Sequence, residues 1–294
     1  MKKTVVDDVR LSEHVLVTVT EMNHLVELQH MAKVNRDCHI KKLDAERYME
    51  IETGEIKEFE RTENRSQGLN SLRQTFKKLR YLINANFTGA TNELFVTLTY
   101  AEQTNDHLQV GKDYDKFLKR LRYEYGSVDA IKVLEPHASG NWHMHVLFRF
   151  NAMRNVYIPN DTLAKIWGLG YVKIQSLKNV DNIGAYVSAY LTDIEVTSEN
   201  ILGFAAAGKE HDIKQVDDKI FVKGGRLPFY KSGVNIFSKT KGIKYPERIE
   251  MTYAEAKKIV GAATPHYKKS IAISDEEKDF SNVITYEQYN LKRD

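Results

Sequence analysis

The sequence predicts an α+β fold in which a central antiparallel β-sheet is flanked by helices. Two apolar strands, at 128–135 and 143–149, follow each other directly and lie between stretches of helical periodicity. In the second strand apolar and polar side chains alternate, so the two sets face opposite sides of a sheet. Two strands in direct succession between helices imply an antiparallel sheet backed by those helices.

The remaining elements follow in order along the chain. The first sixty residues are predicted to form short strands and turns, including a strand at 14–20 and a hairpin that turns at 52–55. A helix is predicted where Leu69, Leu72, Phe76, Leu79 and Ile83 recur at helical spacing. Beyond residue 89 the pattern predicts a strand at 93–99, a helix at about 113–124, the two strands above, a helix at about 160–167, a strand at 171–175 and a helix at about 181–194. From residue 249 the tail is predicted to be a helix followed by mixed polar structure.

Composition excludes several classes of protein. Apolar residues make up 42% and charged residues 28% of the 294 residues, as in an ordinary globular protein. No apolar run approaches the length of a membrane helix, and the first residues lack a signal-like apolar core. Cys38 is the lone cysteine, which excludes internal disulfides and a four-thiolate zinc site. We therefore expect a soluble, cytoplasmic protein with no membrane partner.

Basic residues are concentrated in two blocks, although the net charge is only +3. Residues 61–80 hold six basic side chains against Glu63 alone, and residues 219–248 hold eight against Glu247 alone. Such blocks suit a surface that binds a polyanion, while merely solvated faces would give the same pattern. The candidate DNA contacts are Arg73, Lys77 and Arg80 on the first helix, and Lys223, Arg226, Lys239 and Lys241 in the second block.

The strand at 142–148 carries the residues best suited to chemistry. Trp142, Met144, Val146 and Phe148 share one face, while His143 and His145 lie side by side on the other. A turn near Ser139 would place Glu135 across from His143 on the same face. Two imidazoles and a carboxylate form a three-ligand site for a divalent metal with open positions for water or substrate. The alternatives are two histidines exposed on a sheet face, or His137 as a substitute ligand.

Two tyrosines lie one helical turn apart in the segment 182–191. Tyr186 and Tyr190 sit one position off the core stripe formed by Ile183, Val187, Leu191 and Ile194. Sixteen tyrosines in the chain produce about one such pair by chance, so the pair alone favours tyrosines packed at a core margin. Its combination with the histidine strand is what indicates a function.

Together these segments resemble the three motifs of the HUH endonuclease superfamily, in particular the replication initiators of rolling-circle plasmids and single-stranded DNA phages. The resemblance covers residues 93–194 and extends loosely to 224–230 and 238–246. It implies that Glu135, His143 and His145 hold Mg or Mn, that Tyr186 is the nucleophile and Tyr190 the second tyrosine, and that Thr97 and Thr99 lie beneath the DNA. Many relatives carry lysine just before the second tyrosine, where this chain has Ala189.

The predicted function is a rolling-circle replication initiator that nicks and rejoins single-stranded DNA at an origin through a 5′-phosphotyrosyl intermediate. The alternatives are a relaxase or single-strand transposase with the same chemistry, a metallohydrolase that does not use the tyrosines, and a silent DNA-binding module. Gly203–Lys209 has P-loop spacing but is followed by Glu210 instead of Ser or Thr, so we expect a separate helicase, and a polymerase, as partners. The predicted segments are an accessory DNA-binding region at 1–88, the endonuclease core at 89–200 and a basic extension with a tail at 201–294.

Overall fold

A computed structural model describes most of the chain. The described residues are 2–7, 9–34, 38–44, 46–59, 69–136, 141–196, 213–216, 219–222, 225–231, 233–275 and 280–293. The chain divides into two compact units, one spanning Thr62–Tyr245 and the other combining Met1–Arg61 with Pro246–Asp294. These borders differ from those of the three predicted segments.

Helices and antiparallel strands make up the fold, which confirms the predicted α+β class. The described strands are β1 (Lys2–Val6), β2 (Leu16–Met22), β3 (Leu25–Met31), β4 (Ile40–Lys42), β5 (Arg47–Glu50), β6 (Ile56–Glu58), β7 (Glu93–Leu98), β8 (Val128–Pro136), β9 (Trp142–Phe150), β10 (Val172–Gln175), β11 (Ile194–Glu195), β12 (Ile213–Val216), β13 (Lys219–Val222), β14 (Phe237–Lys239), β15 (Arg248–Thr252), β16 (Tyr267–Asp275) and β17 (Phe280–Asn290). The described α-helices are α1 (Leu69–Asn86), α2 (His107–Tyr125), α3 (Asn160–Trp167), α4 (Ile183–Thr192) and α5 (Tyr253–Val260), with a 3-10 turn at Leu227–Phe229.

The unit Thr62–Tyr245 is built on a five-stranded antiparallel sheet in the order β10-β7-β9-β8-β14. One face packs against α2 and α3 in a core that includes Trp142, Met144, Val146 and Phe148, as the alternation predicted. The other face packs against α1 and α4 in a second core. Both faces are therefore covered by helices, and the histidine side of β9 faces the second core.

The apolar stripe of α1 points into that second core, which confirms the predicted helix. Leu72, Phe76, Leu79 and Ile83 are all buried there, while the side chain of Leu69 lies outside the described residues.

Helix α2 begins at His107, more than a turn before the predicted start. Asp106 explains the difference, because its side chain accepts a hydrogen bond of 2.8 Å from the backbone N–H of Leu108 and so caps the helix.

The other unit contains a six-stranded antiparallel sheet in the order β1-β16-β17-β3-β2-β15, with α5 packed on it. The helix predicted near the start of the tail is present, but most of the predicted mixed polar structure is wrong. Strand β17 pairs with β16 along nine residues and with β3 along seven. Its polar side chains are buried and bonded: Thr285 pairs with Ser270 at 2.9 Å, and Glu287 accepts from Tyr289 at 2.6 Å.

The short strands predicted in the first sixty residues are present. The hairpin predicted at 52–55 joins β5 to β6, with Met49 paired to Ile56 and Gly54 at φ +70° in the turn. Among the described residues, none of the helices has the length and apolar character that crossing a membrane would require.

Candidate active site

The ladder between β8 and β9 sets Glu135 directly opposite His143, as the sequence predicted. His145 lies two residues further along β9, so all three side chains leave the same face of the sheet. This is the face that α1 and α4 cover. The turn that joins the two strands, and His137 within it, lie outside the described residues.

His145 is enclosed at the centre of the site, with 1% of its surface exposed. Its Nε2 contacts Oε2 of Glu135, and its ring stacks on that of Phe95 with centroids 5.7 Å apart. Burial lowers the pKa of His145 to about 3, so the imidazole is neutral at physiological pH. The neutral ring is the form that coordinates a metal ion.

Thr97 orients the His145 ring. It lies directly opposite His145 in the ladder of β7 and β9, with its Oγ1 3.1 Å from Nδ1 of the ring. In the tautomer that carries hydrogen on Nδ1, the ring donates to Thr97 and turns the lone pair of Nε2 towards Glu135. The sequence analysis placed Thr97 beneath the DNA and did not reveal this bond.

The second carboxylate oxygen of Glu135 pairs with Arg226. Nη1 of the arginine contacts Oε1 of Glu135. The arginine also binds the end of α4, through a 3.0 Å bond from its backbone N–H to the Thr192 carbonyl and a 3.3 Å bond from Nη2 to the Asp193 carbonyl. Arg226, predicted to contact DNA, thus lies beside the predicted metal ligands and ties α4 to them.

The donor set fits a divalent cation. A carboxylate and neutral imidazoles are ligands that Mg and Mn accept in open sites. Across the part of the chain that the structure describes, no three histidine, cysteine or acidic side chains converge into a ready-made metal cluster. His145 and Glu135 already meet, and the Cβ of His143 lies opposite that of Glu135 at the ~5 Å of a cross-strand pair, within reach of one shared ion.

Helix α4 carries the two candidate nucleophiles over this face. Ile183, Val187 and Leu191 are buried in the second core, which confirms the predicted stripe, but the helix ends at Thr192 and Ile194 belongs to β11.

Tyr186 is 39% exposed and its ring lies edge-on to Phe95, with centroids 6.3 Å apart. Phe95 therefore contacts both Tyr186 and His145. The backbone of Tyr190 lies one turn further along α4, while its side chain is outside the described residues.

A close crossing of α1 and α4 fixes where Tyr186 lies. Asn84 of α1 accepts a 2.7 Å hydrogen bond from the Gly184 N–H and donates a 2.9 Å bond to the side chain of Asn182, which caps α4. A Cβ at Gly184 would lie 2.5 Å from the Arg80 carbonyl oxygen and 2.8 Å from Oδ1 of Asn84. Only glycine permits this approach.

The variant Gly184→Ala is expected to lower the free energy of unfolding by about 1–3 kcal/mol, because the added methyl forces the two helices apart. It should also slow any reaction that uses Tyr186. Gly111→Ala is the matched control: it adds a methyl to a helix with nothing within 4 Å, so it should stabilise by about 0.5–1 kcal/mol. Urea unfolding of both variants measures the difference, and equal stability would contradict the close crossing.

The variant Thr97→Val is expected to weaken binding of Mn²⁺ by about 10- to 100-fold, because it removes the group that orients His145. Isothermal titration of the full chain with Mn²⁺ measures the effect. Thr162→Val, at an exposed position of α3, is the control and should bind as the unchanged chain does. Unaltered Mn²⁺ affinity in the Thr97 variant would argue against its orienting role.

The other predicted DNA contacts are spread over the unit. Arg73 is exposed on α1. Lys77 and Arg80 lie over the ring of Tyr81 at 5.2 and 5.7 Å from its centroid. The structure therefore gives two of these three residues a contact within the helix.

In the second basic block, Lys239 and Lys241 are exposed beside the β14 edge of the sheet. Nζ of Lys239 donates a 2.7 Å bond to the Ile243 carbonyl. Lys223 lies outside the described residues. Thr99 directly follows β7 and is half-buried, with its backbone N–H donating to the Tyr171 carbonyl at 2.9 Å.

Residues 93–195 match the model of a family described as replication-associated protein ORF2. The matched segment, about a third of the chain, begins with β7 and ends with β11, so it contains Glu135, His143, His145 and both tyrosines. No curated protein and no solved structure matches the chain. The segment that builds the candidate site is thus similar to a family of replication-associated proteins.

Proposed function

We propose that this protein starts rolling-circle replication by nicking single-stranded DNA at an origin and later rejoining the ends. The observation that carries the proposal is the chain of contacts from Tyr186 through Phe95 to His145 and Glu135, which brings a phenol beside a metal-binding donor set. The match of the same segment to replication-associated proteins supports a role in DNA replication.

Glu135, His143 and His145 would hold the cation, Mg or Mn. When bound there, the cation supplies positive charge next to a non-bridging oxygen of the scissile phosphate. Thr97 keeps the His145 ring turned for this task. Arg226 provides a second positive charge at the same place, since it already contacts Glu135.

The reaction is a transesterification. Oη of Tyr186 loses its proton and attacks phosphorus in line with the 3′ oxygen of the preceding nucleotide. The bond from phosphorus to that oxygen breaks and the oxygen takes up a proton. The products are a 5′-phosphotyrosyl enzyme and a free 3′-hydroxyl, which a polymerase can extend.

The phosphotyrosyl ester conserves the phosphodiester linkage, so rejoining needs no nucleotide hydrolysis. Tyr190, one turn along α4 from Tyr186, would cleave the regenerated junction while the first tyrosine holds the displaced end. Because the substrate strand must be unpaired, a separate helicase would open the duplex ahead of the polymerase.

Covalent capture tests the proposal. The full chain is incubated with Mn²⁺ and a pool of random single-stranded oligonucleotides labelled at the 3′ end, then denatured and separated on a gel. We expect a labelled band at the mass of the protein plus DNA, whose sequenced DNA ends share one cleavage site. Cleaved DNA without any covalent band would overturn the proposal and favour a metallohydrolase; a relaxase or transposase would also give the band, and replication of a circular template from the captured site separates the three.

A further inference from the structure

Edge strand β10 extends the site face of the sheet to one side. Lys173 is paired with Thr97, which is paired with His145. One step along the strand, Tyr171 accepts a hydrogen bond from the backbone of Thr99 at 2.9 Å. Two rows of side chains thus run from the central strands of the sheet to its β10 edge.

The packing of the sheet confirms on which face these edge side chains lie. Val172 and Ile174 contact the core on the side of α2 and α3. Because side chains alternate along a strand, Tyr171 and Lys173 leave the opposite face, which is that of Glu135, His143 and His145. Three strand spacings of about 4.8 Å separate β10 from β8, a width of ~14 Å.

Both edge side chains are open to solvent. Tyr171 is 76% exposed and Lys173 is exposed beside it. A large exposed ring and a cation two residues apart are the two groups that bind an unpaired strand, the ring by stacking on a base and the cation by pairing with a phosphate.

The backbone under Tyr171 is firmly held, so the ring has a fixed base. The Thr99 carbonyl accepts a 3.1 Å bond from the indole of Trp167, and the Ala101 N–H donates to the Leu169 carbonyl at 2.9 Å. A Cβ at Gly170 would lie 2.3 Å from the Thr99 carbonyl oxygen, so the two chain segments meet as closely as a glycine allows. Binding a base there would require little ordering of the protein.

We propose that Tyr171 and Lys173 form a subsite that holds the unpaired strand beside the scissile phosphate, with one base stacked on Tyr171 and one phosphate paired with Lys173. The inference rests on the proposed function and adds the direction in which the strand leaves the site, across β7 towards β10. The ~14 Å between β8 and β10 spans at most about four nucleotides of a stacked strand.

The test measures noncovalent binding in a chain that carries Tyr186→Phe and Tyr190→Phe, so that no covalent complex forms. The probe is a fluorescein-labelled oligo-dT strand longer than the ~16 nucleotides that a single-strand-binding fold covers. Tyr171→Ala should weaken binding by about 5- to 100-fold, whereas Tyr171→Phe should bind within about 2-fold of the parent, because the stacking ring remains. Lys173→Ala should lower the slope of log affinity against log salt by about 0.7.

Matched controls lie on the far side of the sheet. Tyr123 is 88% exposed and Lys119 is exposed, both on α2, so Tyr123→Ala and Lys119→Ala should bind as the parent does. If Tyr171→Ala and Lys173→Ala behave like these controls, the subsite is refuted even where the unmodified tyrosine pair forms covalent complexes. If they alone weaken binding, the subsite is supported whether or not a covalent complex forms, so the two proposals are judged separately.

Discussion

Changing Tyr186 and Tyr190 together to phenylalanine is expected to abolish the covalent protein–DNA complex, with a loss of at least ~10³-fold in its rate of formation. Phenylalanine keeps the ring that packs against Phe95 and removes only the hydroxyl. The fold should therefore be unchanged, and the loss reports the nucleophile. The rate is measured from the labelled covalent band over time in Mn²⁺.

The single variants separate the two tyrosines. At least one of Tyr186→Phe and Tyr190→Phe should still form the complex, because the other phenol lies one turn away on the same helix. Tyr123→Phe, an exposed tyrosine on α2, is the control and should react normally. A covalent complex that survives the double change would mean that another residue attacks phosphorus.

The variant His143→Ala is expected to reduce cleavage by at least ~10²-fold and to weaken Mn²⁺ binding, because it removes one of three ligands. His143 is half-buried, so the fold should tolerate the change better than it would at the enclosed His145. Cleavage rate as a function of Mn²⁺ concentration measures both effects.

His14→Ala provides the control, since His14 is exposed in the other unit. Added Mn²⁺ should restore part of the His143→Ala activity if the ligand is lost and the site otherwise stands. Normal cleavage at low Mn²⁺ would contradict the assignment of His143 as a ligand.

Local patterns predicted the centre of the site. The alternation of β9 and the short connection back to β8 were enough to place Glu135 opposite His143, because a hairpin fixes its own register. The buried stripe of α4 followed from helical spacing alone. Both depend on residues close together in the sequence.

Contacts between distant segments escaped the sequence. The bond from Thr97 to His145 requires the register of β7 against β9, which no short turn fixes. Arg226 looked like one cation among eight in its block, and only folding brings it to Glu135. Asn84 and Gly184 show a signal in hindsight, since a glycine in the first turn of a helix marks a close approach.

Strand β17 escaped for a different reason. Its buried side chains include Asn282, Thr285, Glu287 and Gln288, so apolar residues do not alternate with polar ones along it. Partners elsewhere in the unit satisfy these groups, and those partners are not visible from periodicity.

Mass spectrometry of the purified covalent complex tests the central claim most directly. After digestion with trypsin and a nuclease, the peptide that follows Lys178 and ends at Lys209 contains both tyrosines of α4. The account predicts a nucleotide joined through its 5′ phosphate to Tyr186 or Tyr190 in that peptide. A nucleotide on any other residue, or none on the protein although the DNA has been cut, would contradict it.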